Sequence, residues 1–222
     1  MLGIETATSP VSVAVLRNGR CFAELRAEST RGSSSNLREL VETVLRDARV
    51  ELAEVRTVVV GLGPGSFTGV RVGVAFARGL RLATGVSVVG AGTLLTMIRA
   101  MPSAEGVACV IDARKGELYA CVAHRPARGG WIGGQMHGTP EDLGPRVREA
   151  VGPGALEIAG VASDALLRRL AHAIGGRVEI VPMLGTSLAR LIAMRMDDDP
   201  QHGGSDLEVM YVRGSDAKLP GA

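Results

Sequence analysis

The sequence predicts an α/β protein built as two lobes of related architecture, and three observations predict it. Strand-length runs rich in β-branched residues alternate with helix-length amphipathic segments along the whole chain. Strands come first and helices follow in each half, which is the order of a mixed sheet covered by helices. The stretch from Pro102 to Gly106 separates the halves. We therefore expect a first lobe at residues 1–101 and a second lobe at residues 102–222.

Composition limits the functional classes. Hydrophobic residues make up 46% and charged residues 22% of the 222 residues, which is typical of a soluble globular protein. A net charge of +2 is too small to indicate a nucleic-acid partner, and 3% aromatic content disfavours a base-stacking surface. No signal peptide or run of eighteen apolar residues occurs, so we expect a cytoplasmic protein with no membrane contact. The three cysteines lack metal-ligand spacing and are expected to be free thiols.

Periodicity and turn residues define the elements of the first half. Alternating apolar runs predict strands at Leu2 to Thr6, Val11 to Leu16 and Arg20 to Glu28, with a hairpin turn at Asn18-Gly19. Asn36, with Glu39 three residues on, predicts the start of a helix over 36–49. The remaining predicted elements are a buried strand at 57–60, a helix over 68–84, a strand at 86–89 and a short helix at 93–100.

The second half repeats this order less regularly. Two strands, 107–111 and 118–123, flank a turn, and a glycine-rich segment at 125–134 follows them. Helices are predicted over 139–151, 163–174 and 186–196, with the first interrupted at Gly144-Pro145. Short strands are predicted at 156–159 and 178–181, and an extended run at 207–213.

The helix over 68–84 is unusual because apolar side chains occur nearly all the way round it. Ser66 or Thr68 can cap its start after the glycine-rich turn. Arg71, Arg78 and Arg81 form only a narrow charged stripe. A helix that is apolar all round is buried on more than one side. One side can be its own sheet, and the other needs a second layer, such as another protein.

Small residues Gly69, Gly73 and Ala77 lie four apart and share one face of this helix. Each glycine inside a helix costs about 1 kcal/mol relative to alanine, so we expect something to pack there too closely for a side chain. Two interpretations stay open. The close neighbour is either the helix's own fold or the helix of a partner chain.

Catalytic and metal-binding patterns are weak. No two of the four histidines are three or four residues apart, so no helical metal face is predicted. The glycine turn lacks the Gly-Lys-Ser/Thr ending of a P-loop and does not fit G-x-G-x-x-G. Asp112 and Arg114 follow a strand and are expected to form a turn salt bridge. We therefore predict no catalytic residue, metal or cofactor.

Several motifs together resemble the TsaB (YeaZ) family of bacterial proteins. They are Gly63-Pro-Gly-Ser-Phe-Thr-Gly-Val-Arg71, Ile111-Asp-Ala-Arg-Lys-Gly-Glu-Leu-Tyr119, the opening Ile4-Glu-Thr-Ala-Thr8 and the C-terminal Tyr211-Val-Arg213. The resemblance covers essentially the whole chain and implies a two-lobe actin/Hsp70-like (ASKHA) fold. It also implies a role in making threonylcarbamoyladenosine at adenosine 37 of tRNA.

The resemblance implies a scaffold subunit. In the family, the paralogue TsaD carries the metal and transfers the threonylcarbamoyl group, TsaE is an ATPase, and TsaB pairs with TsaD through the two first-lobe helices. Without the partner such proteins tend to form homodimers, and tRNA contact is expected to be indirect or weak. The expected interface residues are Leu37, Leu40, Val41, Val44, Gly69, Val70, Gly73, Val74 and Ala77.

An inherited but degenerate nucleotide cleft is the second expected site, and two departures from the family weaken it. Glu5 stands where the family usually has Asp, and the loop before the first helix lacks a His that the family often has. The expected cleft residues are Thr6, Thr8, Ser66, Thr68, Asp112 and Arg114. The alternatives are an ATP-hydrolysing or kinase-like enzyme of the same fold, in which Glu5 or Asp112 would hold Mg²⁺, and a metallopeptidase.

Overall fold

The computed structural model describes residues 1–27, 33–101, 105–124, 131–181 and 188–198, and these form two five-stranded sheets with helices. The strands are β1 Leu2–Glu5, β2 Val11–Arg17, β3 Arg20–Ala27, β4 Thr57–Gly61, β5 Ser87–Ala91, β6 Gly106–Arg114, β7 Glu117–His124, β8 Trp131–Gly138, β9 Leu156–Val161 and β10 Val178–Ile180. The helices are α1 Ser33–Ala48, α2 Phe67–Thr84, α3 Thr93–Arg99, α4 Pro140–Val151, α5 Asp164–Ile174 and α6 Leu188–Asp198.

The first sheet has the strand order β3-β2-β1-β4-β5. β1 pairs antiparallel with β2 and parallel with β4, and β4 pairs parallel with β5. One face carries Leu2, Ile4, the valines of β2, and Val58 and Val60 of β4, and it packs against α1 and α2. The alternate face carries Gly3, Ala14 and Leu16, and it packs against Ala189 and Ala193 of α6. Strand alternation therefore buries both faces of this sheet.

The second sheet repeats the first. Its order, β10-β9-β6-β7-β8, is the same topology, with β6 in the central position that β1 holds in the first sheet. α4 and α5 cover one face through a core that includes Leu143, Val147 and Leu170. α3 covers the other face through Leu94, Met97 and Ile98. Each half therefore follows one plan: three strands, a helix, a strand, a helix, a strand and a last helix.

The last helix of each half packs on the sheet of the other half. α3 follows β5 but contacts β6 and β7, whereas α6 follows β10 but contacts β1, β2 and β4. α3 and α6 also contact each other, so the junction between the sheets is built from these two helices. The division at residues 1–101 and 102–222 stays a prediction, and residues 102–104 of its boundary lie outside the described ranges.

Three element predictions need correction. No strand was predicted in the glycine-rich segment at 125–134 or just after it, but β8 begins at Trp131 and pairs with β7 from Leu118 to His124. α1 begins at Ser33 rather than at Asn36, and α4 continues through Gly144-Pro145 without interruption. Gly144 lets α4 lie closely against α5, since an added Cβ would be 2.6 Å from the Ala173 Cβ. The predicted run at 207–213, including Tyr211 and Arg213, lies outside the described residues.

Within the ranges that the structure describes, no helix combines the length and the apolar character needed to cross a membrane.

Candidate functional sites

α2 is positioned by the glycine-rich turn that follows β4. The Ser66 backbone N–H donates to the Ala7 carbonyl at 2.7 Å, which ties the turn to the end of β1. Ser66 Oγ accepts from the Gly69 N–H at 3.2 Å and caps the helix, so Ser66 rather than Thr68 is the cap. Gly85, with φ of 73°, ends the helix in the left-handed conformation that glycine adopts readily.

The glycine face of α2 points into the chain's own core. Ala77 is fully buried, and a Cβ added at Gly73 would collide with Thr6 Oγ1 and lie 3.3 Å from Val60 Cγ2. A Cβ at Gly69 would collide with the Thr6 carbonyl oxygen. Of the two open interpretations, close packing against the helix's own fold is confirmed. The expectation that Gly73 and Ala77 meet a partner chain is corrected, because β1 and β4 already occupy that space.

Most other residues expected at the interface also face inward. The side chains of Leu37, Val41, Val44, Val70 and Val74 are buried in the core between α1, α2 and the first sheet. Leu40 and Gly69 are half-buried. A partner contact at α1 and α2 stays a prediction, but these buried side chains cannot form it while the fold is intact.

The opposite side of α2 is exposed and is mainly apolar. Leu82 is 89% exposed and Phe67 is 48% exposed, while Ala75 and Gly79 are exposed and Val72 is half-buried. Nothing lies within 4 Å of a Cβ added at Gly79. We call Val72, Ala75, Gly79 and Leu82 the outward face of α2. Exposed apolar surface organised along one helix is typical of a protein-binding site.

Sequence reasoning did not select these four residues as the contact surface. A helix whose charged residues form only a narrow stripe gives a weak periodic signal of which side packs on the sheet. The usable signal was the position of Arg71 and Arg78. Both are exposed, and they mark the solvent side that includes the outward face.

A second candidate site is a buried polar cluster around Glu5, at the junction of β1, β4 and α3. Glu5 is fully buried. Its Oε1 accepts from the Ala7 N–H at 2.5 Å, and its Oε2 accepts from Thr93 Oγ1 at 2.7 Å. Gly61 leaves room for the carboxyl group, since a Cβ there would lie 2.6 Å from Glu5 Cδ. The cluster therefore links the first sheet to α3, which packs on the second sheet.

Burial dominates the electrostatics of Glu5. Desolvation raises its pKa from 4.5 to about 7, and hydrogen bonds from Thr93, Ala7 and Thr6 oppose that rise. Glu5 therefore holds its proton to a higher pH than an exposed glutamate does. Both oxygens accept from donors of the chain itself, so this arrangement positions α3 rather than exposing a carboxylate at a surface.

The cleft residues expected from the resemblance are only partly brought together. Thr6 and Ser66 meet at the start of α2, where Thr6 Oγ1 donates to the Gly69 carbonyl at 2.8 Å. Thr8 is buried, and its hydroxyl has no hydrogen-bond partner among the described residues. Thr68 is exposed. A nucleotide site here stays a prediction.

Asp112 and Arg114 lie on the hairpin between β6 and β7. Asp112 Oδ1 accepts from the Arg114 backbone N–H at 2.7 Å, and Arg114 has a φ of 68°. The expected turn salt bridge is therefore corrected to a turn hydrogen bond, because the carboxylate contacts the backbone rather than the guanidinium. No hydrogen bond or ion pair described here joins Asp112 to Thr6 or Ser66.

Comparison with known proteins identifies the family. A family model described as TsaD, tRNA N6-adenosine threonylcarbamoyltransferase, matches residues 27–174. The chain is also 32% identical over 157 residues to the tRNA threonylcarbamoyladenosine biosynthesis protein TsaB of Escherichia coli, covering 68% of each chain. The chain belongs to the TsaB family. The resemblance drawn from the motifs is thereby confirmed.

Solved structures confirm the fold of this TsaB family member. YeaZ from Pseudomonas aeruginosa matches with a TM-score of 0.71 at 24% identity, covering 95% of this chain and 98% of that chain. Component A of the Acidaminococcus fermentans (R)-2-hydroxyglutaryl-CoA dehydratase matches with a TM-score of 0.54 at 13% identity. The match covers 88% of this chain and 96% of that chain. The two repeated mixed sheets are those of an actin/Hsp70-like (ASKHA) protein, as expected.

Proposed function

We propose that this chain is a non-catalytic scaffold subunit in the synthesis of threonylcarbamoyladenosine in tRNA. It pairs with the catalytic paralogue TsaD, acts with the ATPase TsaE, and forms a homodimer when the paralogue is absent. Membership of the TsaB family supports this role, since curated members carry the name of that biosynthesis. A tRNA substrate implies a cytoplasmic location, and a net charge of +2 fits indirect contact with tRNA.

The outward face of α2 is the observation that carries the pairing proposal. It presents Val72, Ala75, Gly79 and Leu82 in successive turns of an 18-residue helix, on the side away from its own sheet. Small residues at Ala75 and Gly79 allow another helix to approach closely, and Leu82 supplies a large apolar side chain to bury. This arrangement suits helix-to-helix pairing.

Substitution at Gly79 tests the pairing proposal. Gly79 is exposed with open space around it, so Gly79→Phe should leave the fold intact while holding a partner helix away. We expect Gly79→Phe to weaken pairing with the TsaD of the same organism and to reduce threonylcarbamoyladenosine formation in the reconstituted reaction. Gly79→Ala adds only a methyl group and is the matched control. Equal pairing of wild type and Gly79→Phe would contradict the proposal.

The non-catalytic part of the proposal is tested on the isolated protein. We expect no ATP turnover above background. Turnover that is lost in Asp112→Ala would instead indicate an ATP-hydrolysing enzyme of the same fold, because Asp112 is one of the two carboxylates expected near the cleft.

A further inference from the structure

A closed ring of hydrogen bonds joins the end of β1, the glycine-rich turn before α2 and the start of α3. Glu5 Oε1 accepts from the Ala7 N–H at 2.5 Å, and the Ala7 carbonyl accepts from the Ser66 N–H at 2.7 Å. In the same turn, the Gly63 carbonyl accepts from the Thr93 N–H at 2.8 Å. Thr93 Oγ1 then donates to Glu5 Oε2 at 2.7 Å, which closes the ring.

The ring connects two helices that have different places in the fold. α2 carries the outward face, and its cap, Ser66, is a member of the ring. α3 packs on the second sheet and contacts α6, so it belongs to the junction between the sheets. Glu5 is the acidic residue of the ring. A proton that binds its carboxyl group therefore acts on hydrogen bonds at both helix starts.

The surroundings of Glu5 supply hydrogen bonds but no charge. Ser12 of β2 lies opposite Glu5, Gly61 of β4 lies beside it, and β4 and β5 carry no charged residue. Every charged side chain described on α2, α3 and α6 is an arginine, and none of these arginines contributes to the pKa of Glu5. Burial raises that pKa, and the hydrogen bonds lower it by a smaller amount.

We infer that Glu5 couples the start of α2 to the start of α3, and that binding of a proton to its carboxyl group changes both starts together. In the charged form both carboxyl oxygens accept. The Ala7 N–H donates and cannot accept, whereas the Thr93 hydroxyl can do either. The neutral carboxyl group therefore carries its proton on Oε2, donates to Thr93 Oγ1 and reverses the direction of that bond. The bond from Ala7 is kept but weakened, because a neutral acceptor replaces a charged one.

An NMR titration of this chain alone, from pH 5 to 9, tests the coupling, and its outcome does not depend on the proposed pairing with TsaD. The titration follows the 13C shift of the Glu5 carboxyl group and the amide shifts of Ala7, Ser66 and Thr93. We expect one common midpoint near pH 7, because all four groups belong to the ring. In Glu5→Gln the three amide shifts should not titrate. Amide shifts of Ser66 and Thr93 that do not follow the carboxyl group, or that titrate equally in Glu5→Gln, would overturn the inference.

A second variant, Thr93→Val, gives a test that does not require Glu5→Gln to fold. It removes the hydroxyl donor to the charged carboxyl group, so the midpoint at Glu5 and Ser66 should rise by about one pH unit. Thr96→Val is the matched control, because it removes a buried hydroxyl of the same helix that donates to the Gly92 carbonyl instead. Its midpoint should equal that of wild type. An unchanged midpoint in Thr93→Val would overturn the inference.

Discussion

α2 and α5 are equivalent helices in the two lobes, yet they present different surfaces. Each follows the fourth strand of its sheet and is capped by a serine, Ser66 in α2 and Ser163 in α5. α5 buries one apolar stripe, and its exposed positions include Asp164, Arg168, Arg169 and His172. α2 buries an equivalent stripe and is still largely apolar on its exposed side. Since one topology needs only the buried stripe, folding does not require the second apolar side of α2, which is the surface that we propose for pairing.

The contacts made by exposed arginines also differ between α5 and α2. Arg169 of α5 makes a bidentate pair with Glu141 of α4, with distances of 3.0 and 2.8 Å, so α5 has its neighbouring helix within the chain. The guanidinium group of the exposed Arg71 lies over the ring of Phe67 in the same helix, α2. In the second lobe α5 packs against α4, whereas in the first lobe the outward face of α2 is exposed.

The largest expected effect is the difference in lost stability between truncating a buried leucine and truncating an exposed one. Leu170 of α5 is fully buried, whereas Leu82 of α2 is 89% exposed. Leu170→Ala should lower the free energy of unfolding by about 2–5 kcal/mol, because it removes buried methyl groups and leaves a cavity. Leu82→Ala should change it by less than about 0.5 kcal/mol. Urea denaturation measures both, and a comparable loss for Leu82→Ala would mean that α2 is covered within the chain.

The next largest effect is the pH dependence that Glu5 gives to the free energy of unfolding. Folding raises the pKa of Glu5 from 4.5 to about 7, so the folded state holds the proton more tightly. The associated stability is full below pH 4.5, is lost as pH rises to 7, and amounts to about 3 kcal/mol as an upper estimate. Glu5→Gln should remove this dependence in unfolding measured from pH 5 to 8. Glu149→Gln, at an exposed position, should retain it; identical profiles for all three proteins would refute the assignment to Glu5.

A smaller effect is expected when leucine replaces glycine on the two sides of α2. Gly73→Leu forces a side chain against Thr6 and Val60, and should cost about 1–3 kcal/mol through overpacking. Gly79→Leu enters open space and should not destabilise the fold. Thermal unfolding of the two variants is the measurement. A stable Gly73→Leu protein would show that the glycine face is not packed on the sheet.

The smallest effect is a gain. Gly79→Ala should stabilise the isolated protein by about 1 kcal/mol, because alanine has the higher helix propensity and no neighbour is displaced. Denaturant unfolding of wild type and Gly79→Ala measures the gain. A loss of stability would indicate a neighbour close to Gly79 in the free protein.

The sequence predicted most elements because their apolar periods are strong, but it indicated only weakly which side of α2 faces the sheet. An amphipathic helix such as α5 shows its buried side through its charges. α2 is apolar nearly all round, so the stripe of Gly69, Gly73 and Ala77 was as consistent with a partner as with its own sheet. Only the three-dimensional contact with Thr6 decides between them.

Long-range contacts account for the other differences. β8 is rich in glycine and has a weak strand pattern, and it forms because β7 offers an unpaired edge. α6 was predicted as a helix, but its packing on β1 and β2 depends on residues far away in the chain. The burial of Glu5 likewise depends on Gly61 and Thr93, which no local pattern around Glu5 reveals.

The most direct test of the account is the mass of this protein mixed with TsaD of the same organism, measured by light scattering for wild type and for Gly79→Phe. The account predicts a joint complex for wild type and separate proteins for Gly79→Phe, with Gly79→Ala behaving as wild type. A joint complex of equal stability with Gly79→Phe, or separate proteins in every mixture, would contradict it.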